Sequence, residues 1–305
     1  MRKVVGCLLL ILFMSMNFVS ADIVDYNKHE VDDDGVAYTI DSNCTSSVVN
    51  TISSVGASST FTPVFLVISK NLNDYSPSYI KKSGVTCVII NARCSGISQS
   101  KIDEFVNAGL TVRFYAPCFY DPDTGKWDMD YGRARDRVYW YLHPLNQYNN
   151  VEGFVLDYIR SPGPYTNNQY LVSDLVHEVG GNYRSQGKKM SAFIMPESGG
   201  AETYGQNIGW MSETLDSLMV MAYKGNYRRD SNWIKDINAY FVQFGGCVIN
   251  IVQSYRSDSD TTALGRSELY HDMDQGLYAG AYGTGLFRAG LNSLDQNNPY
   301  KPRTN

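Results

Sequence analysis

An apolar run that ends in a carboxylate is the strongest chemical feature of this chain. Val151-Glu152-Gly153-Phe154-Val155-Leu156-Asp157 leads into Tyr158-Ile159-Arg160-Ser161-Pro162. A buried run has no packing reason to end on a charge. A carboxylate held on a rigid strand end can move a proton, attack an electrophilic carbon or stabilise a cation. The competing reading of Asp157 is an ion pair with Arg160 or Arg93. Acid–base work in both directions needs a second carboxylate. Glu197, after Ser191-Ala192-Phe193-Ile194-Met195-Pro196, is the first candidate, and Asp121 and Asp123 are the next. Glu197 could equally be a solvated loop acid. Tyr223 ends Met219-Val220-Met221-Ala222-Tyr223 and offers a hydroxyl, unless it only caps its strand. Tyr158, Tyr165, Trp127, Tyr255 and Tyr282 are candidate stacking platforms or rim packing. Arg93, Arg160, Arg256 and Arg288 each follow an apolar run. His177 and Glu178 read as surface residues of a helix.

The elements that would position these groups repeat along the chain. Apolar, β-branched runs occur at Val64–Ser69, Thr86–Ala92, Thr111–Ala116, Gly153–Asp157, Met190–Met195, Ser217–Ala222, Val248–Gln253 and Ala279–Leu286. Polar stretches with helix start signals separate them: Ser76-Pro77, Ser98, Asn167-Asn168 and Ser231. Gly84 and Gly109 stand where two helices should stop. Continuous apolar strands imply burial on both faces, as in a parallel sheet covered by helices. Eight such units predict an α/β fold, a (β/α)8 TIM barrel, over residues 61–305. An open doubly wound sheet is the alternative, without its nucleotide fingerprint. In a barrel, carboxylates at the C-terminal strand ends face the active-site mouth.

The ends of the chain and its composition narrow the setting. Arg2 and Lys3, the apolar run Val4–Phe13 and Val19-Ser20-Ala21 have the layout of a signal peptide, residues 1–21. An uncleaved anchor is the alternative; the run is short for a membrane span. Cleavage would remove two cations and move the net charge from −5 to −7. A secreted or cell-surface location and no stable membrane insertion are therefore expected. Residues 22–60 form an acidic, then Ser/Thr-rich lead-in, with a short strand at Val36–Ile40 and a short helix at Ser46–Val55. The negative charge argues against nucleic acid as a partner. Four His, with no H-E-x-x-H or C-x-x-C, argue against a metal site, and no cofactor is expected. G-x-S-x-G and the P-loop pattern are absent. Cys44, Cys87, Cys94, Cys118 and Cys247 remain after cleavage, an odd number. Cys94 and Cys118 follow neighbouring strands, which predicts a disulfide at the rim. Asn43-Cys44-Thr45 is a formal glycosylation sequon. The oligomeric state is open.

Asn150-x-x-Gly153-Phe154-x-x-Asp157-Tyr158-Ile159-Arg160-Ser161-Pro162 resembles the Asp-Tyr-Ile-Arg signature after strand 4 of glycoside-hydrolase-like TIM barrels. That family is remotely akin to the α-amylase and chitinase superfamilies. The helix with Arg135, Asp136, Arg137 and Tyr141 is similar to theirs, as is the Met-x-Tyr of Met221-Ala222-Tyr223. Two departures stand out. The α-amylase pattern has an Arg where Val155 stands, and the chitinase pattern has a Glu where Ile159 stands. The resemblance implies a secreted, metal-independent glycosidase that cleaves a polysaccharide or cell-wall glycan with a carboxylate pair. A carboxylate separation of about 5–5.5 Å would imply retention, and roughly 6.5–9.5 Å inversion. Within that reading Asp157 is nucleophile or electrostatic stabiliser, kept ionised by Arg160 or Arg93, and Glu197 is the general acid/base. Tyr223, Arg160, Arg93, Tyr158, Tyr255 and Asp121 would contact the glycan. A non-catalytic carbohydrate-binding barrel and a cell-wall hydrolase of another bond type are the alternatives.

Overall fold

The computed structural model describes residues 62–163, 168–291 and 293–303. Among them, eight parallel strands close into a barrel in sequence order. The strands are β1 Val64–Ile68, β2 Cys87–Asn91, β3 Thr111–Pro117, β4 Val151–Asp157, β5 Lys189–Ile194, β6 Ser217–Ala222, β7 Val248–Gln253 and β8 Gly283–Phe287. The last pairs with the first, Val64 opposite Thr284. All eight expected runs are strands. The final one starts later than expected, because Ala279 caps the preceding helix and Gly280 turns the chain at φ 92°. The lead-in, the expected signal segment, Cys44, the sequon, Tyr165 and Asn167 lie outside the described residues.

Alternation along each strand sorts the barrel into two cores. Phe65, Val67, Cys87, Ile89, Tyr115, Val155, Phe193, Met219, Ile249 and Ile251 fill the interior. Leu66, Ile68, Val88, Ile90, Phe114, Phe154, Leu156, Ile194 and Val220 pack outward under the helices. Period-two geometry therefore puts Asp157 inside, two residues beyond Val155, and Tyr223 inside, two beyond Met221. At the opposite end of the barrel, Arg113 bonds Glu152 at 2.6 Å and donates to the Ser191 hydroxyl at 3.1 Å. Ser191 in turn shares a 2.7 Å hydrogen bond with Ser217.

The helix starts follow the sequence closely. Ser76 and Ser98 accept from the Tyr79 and Lys101 amides and cap α1 Pro77–Lys82 and α2 Gln99–Asn107. Helices α3 Tyr131–Asn146 and α4 Gln169–Ser185 cover β3 to β5. The short helices α5 Gly200–Tyr204, α6 Ile208–Ser212 and α7 Lys224–Tyr227 shape the mouth, and α8 Ser231–Val242 and α9 Arg266–Tyr278 complete the ring. The cap of α8 is Asp230 rather than Ser231; its carboxylate accepts from Trp233.

The predicted disulfide is not formed. Cys94 and Cys118 are both free, as is Cys87. The Cys94 thiol turns to the Ile68 carbonyl at 3.7 Å, whereas Cys118 is buried near Ala116 and Asp157. Neighbouring strands bring the backbones close, but the two side chains leave in different directions.

Candidate functional site

Asp157 stands on the floor of the mouth. Its Oδ1 accepts the Tyr158 amide at 2.8 Å. Tyr158 has φ 49°, so the strand breaks directly after the carboxylate. That break turns Ile159 into the outer core, where it is fully buried. The position that carries an acid in the chitinase pattern is thus occupied here by a core aliphatic.

Burial pushes the Asp157 carboxyl up to about 6, against the opposing pull of the Tyr158 amide and of Arg160. This corrects the expectation that a nearby Arg would hold it low. Asp157 keeps part of its surface exposed, but the protein around it is dense, and desolvation of the charge prevails. Burial first, and then the negative charge of Asp157, raise the hydroxyls of Tyr115, Tyr158 and Tyr223 and the thiol of Cys118. Tyr115 is further fixed by Asn91 at 2.9 Å, and Tyr223 stacks on Phe287 at 5.4 Å.

One wall is aromatic. A two-stranded hairpin, Tyr120–Asp121 with Lys126–Trp127, follows β3. Tyr120 stacks on Tyr158 at 4.6 Å, and Trp127 meets both edge-on at 5.6 Å. Arg160 lies between Trp127, 4.6 Å from its centroid, and Tyr204, at 5.3 Å. The three rings are half-buried.

Glu197 lies beyond Arg160. The hydroxyls of Tyr204 and Tyr227 both donate to its Oε1, at 2.8 and 3.1 Å. It also borders a small cleft of about 150 Å³ with Ala201, Asn207, Tyr240 and Phe244. A larger cleft of about 500 Å³ lies away from the mouth, between α1 and the segment after β8.

Several expected contributors are committed elsewhere. Arg93 is ion-paired with Asp123 at the rim rather than with Asp157. Asp121 caps its own turn through the amides of Asp123 and Thr124. Tyr255 is buried, 3% exposed, and cannot serve as a stacking platform. Tyr282 precedes β8 and senses Arg113 and Glu152, which places it at the opposite end of the barrel. Arg256 is paired loosely with Asp260 at 4.0 Å. Arg135 binds Asp136 on the surface, and Arg137 donates to the Cys118 carbonyl at 2.6 Å. Glu178 accepts from Tyr131, and His177 bonds Thr214. Among the described residues no three His, Cys, Asp or Glu side chains converge as metal ligands, and no helix is long and apolar enough to cross a membrane.

The sequence reading missed the wall opposite the aromatic one. A second ribbon, Tyr255–Ser257 with Asp260–Ala263, follows β7. Asp258 sits at its turn. Its Oδ1 accepts from Tyr255 at 3.0 Å and Gln253 at 3.2 Å, and its Oδ2 accepts from Asn226 at 2.7 Å. Gln253 carried a usable signal, since it ends an apolar strand on a polar group just as Asp157 does. Asp258 carried none, because it is an ordinary loop acid in sequence.

No family model matches this sequence, and no curated protein matches it. Its fold is similar to a chitinase from Chromobacterium violaceum, with TM-score 0.60 and 13% identity over 76% of this chain and 96% of that one. It is similar to the spore cortex-lytic enzyme SleL of Bacillus megaterium, with TM-score 0.56 and 9% identity over 80% and 75%. A glycoside hydrolase family 18 N-acetylglucosaminidase from Paenibacillus barengoltzii gives TM-score 0.56 and 10% identity over 79% and 99%. At such identities the likeness establishes the fold, and the expected kinship with glycoside-hydrolase barrels is met at that level.

Proposed function

We propose that the chain is an exported glycosidase that hydrolyses a glycan at the barrel mouth, with Asp157 at its centre. The observation that carries this reading is a carboxyl raised to about 6, seated between an aromatic wall and the Tyr115 and Tyr223 hydroxyls. A group titrating there holds a proton in mildly acid solution and can pass it to a glycosidic oxygen. The role of Asp157 is therefore general acid rather than nucleophile. Glu197 is the proposed second carboxylate; two tyrosine hydroxyls orient it and leave Oε2 to act on water or on the anomeric carbon. The named neighbours act on chitin, spore cortex and N-acetylglucosaminides, which supports an N-acetylated glycan as substrate class.

Incubation with N-acetylchitopentaose, peptidoglycan and cellopentaose, read by chromatography, tests the reading. Turnover of at least one, lost in Asp157→Asn, is expected. The second reading is a glycan-binding barrel without turnover, favoured by the buried Ile159 at the acid position of chitinases. Binding without product release from the wild-type chain would establish that reading instead.

A further inference from the structure

We propose that Asp258 is the hydroxyl-anchoring carboxylate of the glycan site, gripping the polar edge of an uncharged sugar whose apolar face lies on the Tyr120–Trp127–Tyr158 wall. The proposal rests on the glycan reading above and adds a residue and a substrate preference to it.

The geometry is that of a built acceptor. Asp258 receives three side-chain hydrogen bonds, from Tyr255, Gln253 and Asn226, and its own backbone amide donates to Asn226 Oδ1 at 2.9 Å. Gln253 is buried at 3% exposure, and its amide also reaches Asn226 at 3.4 Å. The carboxylate itself is exposed to solvent. Each carboxylate oxygen has about two acceptor sites, so three bonds leave capacity for one more at least. Side chains fixed in this way lose little freedom on binding.

Position ties the group to the mouth. The charge of Asp258 reaches the hydroxyls of Tyr158 and Tyr223, two of the three that also feel Asp157. Glu197 acts on a different pair, Tyr204 and Tyr227. Asp157 and Asp258 therefore both face Tyr158 and Tyr223 at the barrel mouth, with the aromatic wall on the Asp157 side. Pyranose rings present an apolar face and a hydroxyl edge, and the two walls match those two surfaces. An exposed carboxylate on one wall also disfavours acidic sugars. The rim cations do little to offset it, since Arg93 and Arg256 are paired with Asp123 and Asp260.

Calorimetry with N-acetylchitopentaose and with glycan strands that carry muramic acid carboxylates tests this. Asp157→Asn is the parent, to prevent turnover, and Asp258→Asn and Tyr255→Phe are added to it. Expected is a Kd raised at least tenfold by Asp258→Asn and about two- to fivefold by Tyr255→Phe, with unchanged melting temperature. The neutral probe should bind more tightly than the acidic one, and Asp258→Asn should narrow that gap. In the otherwise native chain, Asp258→Asn should raise KM with kcat within about threefold. Affinities within twofold of the parent for both variants overturn the proposal while leaving the glycan reading intact. Absence of binding to either probe by the wild-type chain overturns both. If Asp258→Asn fails to fold, the Tyr255→Phe result alone decides.

Discussion

Asp157 joins function to a stability cost. Its folded value of about 6 lies above the ordinary 3.8, so the native state binds the proton more tightly than the unfolded chain. Stability is therefore full below about pH 4 and falls as pH rises through 4 to 6. Roughly 2–3 kcal/mol is lost by neutral pH, at about 1.4 kcal/mol per pH unit. Asp157→Asn removes the charge, keeps the acceptor for the Tyr158 amide, and should melt about 4–10 °C higher at pH 7.5. The advantage should vanish near pH 4; a variant that melts below wild type at neutral pH contradicts the burial account. If Asp157 is the proton donor, kcat/KM should fall above about pH 6 in the native chain. A rate that rises through pH 6 would return it to the nucleophile role. Glu197→Gln should slow substrates with poor leaving groups and aryl glycosides alike, each at least tenfold. That follows from its proposed attack on water or carbon, which no leaving group can bypass. Wild-type rates on both classes would remove Glu197 from the mechanism.

At the level of elements, the loops after β6 and β7 are held together by a backbone approach. A Cβ on Gly225 would sit 1.6 Å from the Arg256 carbonyl oxygen. Only glycine lets α7 dock on the ribbon that carries Asp258. Lys224, next to it, is anchored to Asp272 at 2.8 Å and Glu268 at 2.9 Å on α9. Gly225→Ala should therefore push the ribbon away, cost on the order of 2 kcal/mol in urea unfolding and weaken glycan binding as is expected of Asp258→Asn. Unchanged binding in a folded Gly225→Ala protein would show that the ribbon is not part of the site.

For the whole molecule, the barrel interior is sealed at the end remote from the mouth by a polar group rather than an apolar plug. Arg113 is 11% exposed, pairs with Glu152 and Ser191, and lies 5.5 Å from the Phe65 ring centroid. Removing Arg113 leaves the Glu152 carboxylate without its ion-pair partner and Ser191 with Ser217 alone. Arg113→Ala should cost on the order of 2–4 kcal/mol, measured by urea denaturation, without altering the pH profile of activity. A loss below about 0.5 kcal/mol would mean that the interior does not depend on this pair.

Strand identity, strand count and the inward direction of Asp157 were all legible in the linear pattern, because period two and continuous apolar runs act locally. So were the Ser76 and Ser98 caps, which need only their own first turn. The register of closure, the free state of Cys94 and Cys118 and the misplaced Tyr282 were not, since they depend on side-chain directions across strands. The opposition of Asp258 to Asp157 was equally hidden. Residues 101 positions apart meet only when eight strands close. The proton affinity of Asp157 was decided the same way: the adjacent Arg160 suggested a lowered value, and burial on a closed barrel floor reversed it.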